Sequence, residues 1–116
     1  MMRTTTISSF GDVVLVTFPF TNQSATKQRP AAVISSKAYH RQRPDLILLA
    51  ITSQVRTPLR VGEAIISDWQ SAGLIKPSTF KPIIFTAEKS IVRKTLGTLI
   101  DADQKILRKV LSDIVG

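Results

Sequence analysis

The run GDVVLVTFP, residues 11–19, gives the clearest indication of how this chain folds. Gly11 and Asp12 favour a turn before it, and the residues that follow are β-branched or apolar on both faces. Proline cannot donate a backbone hydrogen bond to a neighbouring strand, so Pro19 ends the pattern. The sequence therefore predicts a buried strand over residues 13–18.

Similar apolar runs recur on the C-terminal side of this strand. They predict further strands at 30–35 (PAAVIS), 46–51 (LILLAI), 61–66 (VGEAII) and, as a short piece, 83–86 (IIFT). The polar and basic stretch 36–44 is compatible with a turn of helix. The patterns leave the order of the strands in the sheet open.

The C-terminal segment has a different periodicity. Apolar residues recur at helical spacing and predict an amphipathic helix over Ala102–Val115. Asp101 and Gln104 have the spacing of a capping box at its start. Short strands followed by one helix predict a mainly β (α+β) fold, a small, partly open barrel or strongly bent sheet with the helix packed on it.

Length and composition exclude several classes of protein. With 116 residues, 43% of them hydrophobic, the chain is expected to form one globular domain over residues 1–116. The absence of cysteine excludes disulfides and thiol catalysis, and a single histidine argues against a zinc site. We find no apolar run long enough for a membrane span and no signal peptide, so we expect a cytoplasmic protein with no membrane partner.

The charge is strongly positive and unevenly distributed. The formal net charge is +8, and residues 1–60 hold eight basic residues against two acidic ones. Such a field attracts phosphate backbones, acidic proteins or anionic lipids. The alternative is a basic surface that is simply well solvated.

Polar side chains stand where two of the predicted strands end. Lys27-Gln28-Arg29 comes directly before one strand, and Thr52-Ser53-Gln54 directly after the next. Proline restricts its predecessor to extended conformations, so Arg29 has a limited set of directions. Its planar donor fork suits a phosphate group. The alternative is that Arg29 solvates a loop edge and that Thr52 caps a strand.

Two other residues have plainer interpretations. His40 lies between Tyr39 and Arg41 in a polar connection, and we interpret it as an ordinary surface histidine rather than a catalytic base. Trp69, the only tryptophan, is interpreted as a packing or dimer-interface residue rather than a platform for a nucleic-acid base.

Four sequence motifs resemble those of the MazF/PemK toxin family. GDVVLVTFPFT (11–21) with KQRPAAVIS (27–35) is similar to the family's N-terminal signature, and ITSQ (51–54) to its second motif. DW (68–69), AGL (72–74) and KPS (76–78) are similar to the third motif, and LGTL (96–99) is typical of the stretch before the last helix. The resemblance spans residues 10–114, with the motifs in the family's order.

This resemblance implies a growth-inhibiting toxin of a type II toxin-antitoxin system with an SH3-like barrel fold. It implies a homodimeric endoribonuclease, an mRNA interferase that cuts single-stranded RNA at short sequences without a metal or other cofactor. The products would carry 2′,3′-cyclic phosphate and 5′-hydroxyl ends, and an acidic antitoxin would be the protein partner. Carried onto this chain, the catalytic residues are Arg29 and Thr52.

The same resemblance and the basic charge suggest which residues bind RNA. The expected set surrounds the two catalytic residues and comprises Lys27, Gln28, Ser53, Gln54, Arg56 and Phe20. Phe20 could equally close the core, and Lys81 and Arg60 could line the groove or lie on a solvated surface. Some relatives carry an arginine and an aspartate in the strand after the third motif, whereas here the corresponding stretch offers only Glu88. The general base is therefore not assigned.

A second function from another class is a non-catalytic module of the same fold, either a degenerate toxin or a gyrase-type inhibitor. The presence of both Arg29 and Thr52 argues against it. A DNA-binding protein is a third interpretation, but the one predicted helix needs its apolar face for packing and is a poor recognition helix.

Overall fold

The fold is mostly strand, as predicted. The computed structural model describes residues 8–17 and 27–116, and in that part it contains six strands, two α-helices and a 3₁₀ turn. The elements are β1 (Asp12–Thr17), β2 (Gln28–Val33), α1 (Lys37–Gln42), β3 (Asp45–Thr52), β4 (Ala64–Ile65), β5 (Thr79–Glu88), a 3₁₀ turn (Lys89–Ile91), β6 (Val92–Thr98) and α2 (Asp101–Val115).

All six strands belong to one antiparallel sheet with the order β4-β5-β3-β2-β1-β6. The strands β4 and β6 form its two edges, so the sheet is open rather than a closed barrel. The mainly β architecture with a C-terminal helix is confirmed. No helix in the described residues is long and apolar enough to cross a membrane.

The two apolar faces of β1 belong to two hydrophobic clusters. Successive side chains of a strand point to opposite faces of the sheet. Val13 lies in the cluster that also contains Leu107 and Val110 of α2, whereas Val14 and Val16 lie in a second cluster. All three valines have no solvent exposure. This double burial explains why residues 13–16 are apolar without alternation.

The helix α2 covers the first cluster, but it begins differently from the expectation. Its N-cap is Ile100, which makes no side-chain capping bond. The predicted capping box is therefore wrong. Gln104 instead donates from Nε2 to the carbonyl oxygen of Leu99, 2.9 Å away, and Asp101 is exposed. The side chain of Gln104 thus satisfies a backbone carbonyl before the helix instead of closing a capping box with Asp101.

Three strand predictions need correction. The strand expected at 61–66 is reduced to the two residues of β4. The short piece expected near 83–86 is the ten-residue β5, which runs through Pro82. The pairing of β5 with β3 shifts register between Leu49 and Ile51, which face Ile84 and Phe80, so Pro82 lies in the irregular part where its missing N–H is tolerated. The strand β6 was not predicted, because its sequence VRKTLGT is polar and largely exposed.

His40 is buried, with 7% exposure, so the surface interpretation is wrong. Its Nδ1 lies 2.6 Å from the carbonyl oxygen of Ser8, which can only accept a hydrogen bond. Nδ1 therefore donates to this carbonyl oxygen, and Nε2 forms a hydrogen bond with the hydroxyl of Ser35. Ser35 in turn accepts from the backbone N–H of Ile47. His40 thus ties α1 to β3 and to the chain before β1.

Candidate functional site

The antiparallel pairing of β2 and β3 brings the two predicted catalytic residues to one end of the sheet. Ala31 pairs with Ala50, and Val33 pairs with Leu48. This register carries the start of β2, which holds Arg29, and the end of β3, which holds Thr52, to the same end of the sheet, although the two residues are 23 positions apart in the chain.

Both residues line one open cleft of about 260 Å³. Its walls come from the start of β2, the end of β3 and the approach to β5: Gln28, Arg29, Pro30, Ile51, Thr52, Ser53, Gln54, Leu74, Ile75, Lys76 and Ser78. The charged members, Arg29 and Lys76, are both cationic and exposed. Within residues 8–17 and 27–116, neither forms an ion pair with a carboxylate. The cleft is therefore suited to an anionic ligand.

The hydroxyl of Thr52 is oriented by the backbone that follows it. The N–H of Gln54 donates to Thr52 Oγ1 at 3.0 Å. A hydroxyl has one proton to donate and two lone pairs, so this bond occupies an acceptor site and leaves the proton available. Thr52 is half-buried and faces the cleft. Its hydroxyl can therefore donate to a bound anion.

The other sequence-predicted site residues are distributed as follows. Gln28, Ser53 and Gln54 line the same cleft. Arg56 lines an adjoining depression that shares Thr52 and Gln54 with the cleft. Lys27 is exposed just before β2 and is not part of the cleft wall, and Phe20 lies outside the described residues.

The adjoining depression extends the positive surface away from Arg29. Its lining includes Arg56 and Lys81. A further depression includes Arg60, and Glu63 lines both depressions. Glu63 Oε1 accepts a hydrogen bond from the backbone N–H of Arg60 at 2.9 Å. Lys81 and Arg60, which the sequence left undecided, thus continue the basic surface on the β4 side of the cleft.

The opposite wall of the cleft belongs to the segment 67–78, which is held by α2. Asp103, on the first turn of α2, has no solvent exposure. Its carboxylate accepts hydrogen bonds from the N–H and the hydroxyl of Ser67, at 3.0 and 2.6 Å, and from the N–H of Asp68, at 2.9 Å. These three bonds compensate the burial of the charge. They anchor the start of the segment to the helix.

The middle of the segment rests directly on β6. Gly73 has a φ of +82°, a conformation that side chains other than glycine rarely adopt, and a Cβ there would lie 2.1 Å from the carbonyl oxygen of Leu96. Further along, the hydroxyl of Ser78, which is only 3% exposed, donates to the carbonyl oxygen of Lys76 at 2.8 Å. The backbone of Lys76 is therefore fixed beside the cleft.

Asp68 closes the turn within this segment. The hydroxyl and the backbone N–H of Ser71 both donate to the Asp68 carboxylate. These bonds, the one from the hydroxyl more than the one from the N–H, lower the pKa of Asp68 from its ordinary value. A lowered pKa in the folded chain favours folding at pH values above the ordinary pKa. That contribution is lost as the pH falls through the lowered value.

We expect Ser71→Ala to reduce stability at pH 7 and to have a progressively smaller effect as the pH falls from the ordinary pKa of an aspartate, about 3.9, through the lowered pKa of Asp68 in the folded wild type. Urea unfolding of both proteins at pH 7 and at about pH 2 measures this. Ser112→Ala, at an exposed position on α2, is the matched control. A destabilisation by Ser71→Ala that is the same at both pH values would contradict the assignment.

The sequence interpretation missed two polar members of the cleft. Lys76 and Ser78 were part of a matched motif but received no role, although the Lys-Pro-Ser sequence before a strand was the available signal. Trp69 packs against the first cluster, in agreement with a packing role. Glu88 pairs with Asp45, whereas Thr79 at the other end of β5 pairs with Thr52. Glu88 is thus roughly 30 Å from the cleft along the strand.

Among the described residues, no group of three or more histidine, cysteine, aspartate or glutamate side chains is placed to hold a metal ion. The polar side chains of the described residues that line the cleft are amides, hydroxyls and cations. Such a set offers hydrogen-bond donors to an anion rather than ligands to a cation.

Several solved structures have a similar fold. An endoribonuclease in complex with its cognate antitoxin from a mycobacterial species is 18% identical over 95% of this chain and 96% of that chain, with a TM-score of 0.76. The Mycobacterium tuberculosis toxin MazF-mt6 is 15% identical over 89% and 94%, with a TM-score of 0.72. The MazE-MazF structure from Deinococcus radiodurans contains a chain 18% identical over 96% and 98%, with a TM-score of 0.74.

Sequence comparison agrees with the resemblance of the motifs. No curated protein matches the sequence at a significant level. Residues 9–115 match the family described as PemK-like, MazF-like toxin of type II toxin-antitoxin system. With nearly its whole length in that match and a fold shared with MazF structures, the chain belongs to the PemK-like, MazF-like toxins of type II toxin-antitoxin systems.

Proposed function

We propose that this toxin is an endoribonuclease that cleaves single-stranded RNA at the cleft containing Arg29 and Thr52. The observation that carries the proposal is the meeting of these two residues, distant along the chain, in an open cleft whose charged residues are cationic. One of the structural relatives is itself described as an endoribonuclease. The reaction is attack of a ribose 2′-oxygen on the adjacent phosphorus, with departure of the 5′-oxygen.

The chemistry of the two residues suits this reaction. Negative charge accumulates on the non-bridging phosphate oxygens in the transition state, and preorganised donors stabilise it more than they stabilise the ground state. The guanidinium of Arg29 supplies two parallel donors, and the Thr52 hydroxyl, oriented by Gln54, supplies a third. Gln28, Ser53 and Gln54 offer amide and hydroxyl groups that can bind the flanking nucleotides.

The basic surface around the cleft also supports an acidic antitoxin as the protein partner. Two of the structural relatives were solved with an antitoxin, and Arg56, Lys81 and Arg60 extend the positive charge beyond the cleft. An acidic chain and an RNA backbone are attracted by the same field, so we propose that they compete for this surface. We further propose a homodimer as the active form and the cytoplasm as its location.

The direct test is incubation of the purified protein with a long unstructured RNA in the presence of EDTA. We expect cleavage at a small number of sites, with downstream fragments that polynucleotide kinase labels without prior phosphatase treatment, since the 5′ ends are hydroxyls. The upstream fragments should end in a 2′,3′-cyclic phosphate by mass spectrometry. RNA that stays intact would overturn the proposal and favour a non-catalytic module of this fold.

We expect Thr52→Val to lower the single-turnover cleavage rate at saturating RNA about 100-fold, the effect of removing one preorganised donor to a developing oxyanion. Valine keeps the shape of threonine and lacks only the hydroxyl. Thr52→Ser retains the hydroxyl and should stay within about tenfold of the wild-type rate. Equal rates for the valine and serine variants would exclude a role for the hydroxyl.

A further inference from the structure

We propose that Lys76 is the general acid of the proposed reaction, donating the proton that the departing 5′-oxygen requires. This inference rests on the proposed function and adds a step to it. An alkoxide is a poor leaving group, and general acid catalysis of such a step contributes about 10²–10⁴-fold in rate. In the proposed reaction Arg29 and Thr52 stabilise the phosphate oxygens, and neither donates a proton to the departing 5′-oxygen.

The composition of the cleft leaves Lys76 as the residue for proton donation. Among residues 8–17 and 27–116, the lining contains no carboxylate and no histidine, and its charged members are Arg29 and Lys76. A guanidinium keeps its protons throughout the physiological range, whereas an ammonium group is a recognised acid and base in enzymes. The remaining polar members are amides and hydroxyls, which are much weaker acids.

The position of Lys76 is fixed while its side chain remains accessible. Its carbonyl oxygen accepts from the buried hydroxyl of Ser78, and Pro77 restricts its backbone to extended conformations. The segment 67–78 is held upstream by Asp103 and by the close approach of Gly73 to Leu96. Lys76 is exposed, and in the described residues no carboxylate pairs with it. A lysine side chain on a fixed backbone thus lines the same cleft as Arg29 and Thr52.

The step is balanced as follows. The 2′-hydroxyl gives its proton to a water molecule as its oxygen bonds to phosphorus. The bond between phosphorus and the 5′-oxygen breaks, and the Nζ of Lys76 transfers a proton to that oxygen. The products are the 2′,3′-cyclic phosphate and a 5′-hydroxyl. Lys76, now neutral, recovers a proton from water before the next turnover.

A sulfur atom in place of the bridging 5′-oxygen tests this role. A thiolate leaves without protonation, so the sulfur substrate does not need a general acid. After the cut site has been mapped on ordinary RNA, two short oligonucleotides are made that span it, one with oxygen and one with sulfur at that position. Single-turnover rates at saturating enzyme are measured for wild type, Lys76→Met, Lys76→Arg and Arg29→Ala, with Lys105→Met on the exposed face of α2 as the matched control.

We expect Lys76→Met and Lys76→Arg to lose about 100-fold on the oxygen substrate and to cleave the sulfur substrate within about threefold of wild type. Arg29→Ala should be slow on both substrates, and Lys105→Met normal on both. The assignment would be overturned if the Lys76 variants lost as much rate on the sulfur substrate as on the oxygen substrate. It would also be overturned if Lys76→Met or Lys76→Arg cleaved the oxygen substrate at the wild-type rate. Failure of wild type to cut the oxygen substrate would instead refute the proposed function.

Discussion

Arg29→Ala should lower the single-turnover rate of RNA cleavage about 1,000-fold, the upper part of the range for loss of a preorganised donor to a developing oxyanion. The guanidinium offers parallel donors to two phosphate oxygens, and alanine removes both together with the positive charge. Because Arg29 is exposed, the folded structure should be preserved. The rate is measured with an end-labelled RNA carrying one mapped cut site, in EDTA and at saturating enzyme.

Two variants separate the geometry of Arg29 from its charge. Arg29→Lys keeps the charge but loses the planar fork, and we expect an intermediate rate. Arg41→Ala removes the same charge from an exposed position on α1, which follows the far end of β2, and should cleave like wild type. Cleavage by Arg29→Ala at the wild-type rate would remove the main support for the proposed active site.

Asp103→Ala should lower the free energy of unfolding by about 3 kcal/mol, because it removes a fully buried carboxylate that accepts three hydrogen bonds, and loss of a buried hydrogen-bonding partner costs about 1–3 kcal/mol. For a chain of this size, that corresponds to a fall of about 10 °C in Tm. Urea and thermal unfolding followed by circular dichroism measure both quantities. The effect is large because this single carboxylate joins α2 to the segment 67–78.

The conservative replacement makes the test more specific. Both oxygens of Asp103 accept hydrogen bonds, one from Ser67 and the other from Asp68, so the amide nitrogen of Asp103→Asn would face a donor. We expect the asparagine variant to lose at least half as much stability as the alanine variant. Asp113→Ala, which breaks an exposed pair with Lys109, should cost no more than about 1 kcal/mol. Similar stabilities for Asp103→Ala and Asp113→Ala would contradict the anchoring role.

The local sequence pattern was sufficient to predict those strands and helices whose buried residues form a continuous or periodic apolar run. The strands β1, β2 and β3 and the helix α2 lie close to their predicted positions, because each is a run of apolar residues with strand or helical periodicity. The edge strand β6 was not predicted because it lacks a continuous apolar pattern. A strand at the edge of a sheet tolerates charged residues such as Arg93 and Lys94. β4 was overestimated, because the apolar composition of 61–66 does not specify a pairing partner.

In the candidate site, too, some residues could be predicted from local sequence and others could not. The chain sequence sufficed to single out Arg29 and Thr52, since each stands at the end of an apolar strand within a family motif. The burial of Asp103 and His40 was not foreseeable, because a charged or polar side chain is buried only where partners distant in sequence satisfy it, here Ser67 and Ser8. Lys76 was overlooked although it stands in a family motif before β5, because its place beside Arg29 and Thr52 depends on packing between distant segments.

Periodicity and composition were thus enough to predict a mainly β chain with a closing helix and a basic surface, and the resemblance of the motifs to a known family singled out Arg29 and Thr52. The sheet order, the meeting of Arg29 and Thr52 in one cleft and the anchoring of the segment 67–78 on α2 and β6 came from the folded molecule alone. The physical reason is the range of the interactions. A strand or helix is chosen by residues within a few positions of one another, whereas an active site is assembled by hydrogen bonds and packing between segments that the chain keeps far apart.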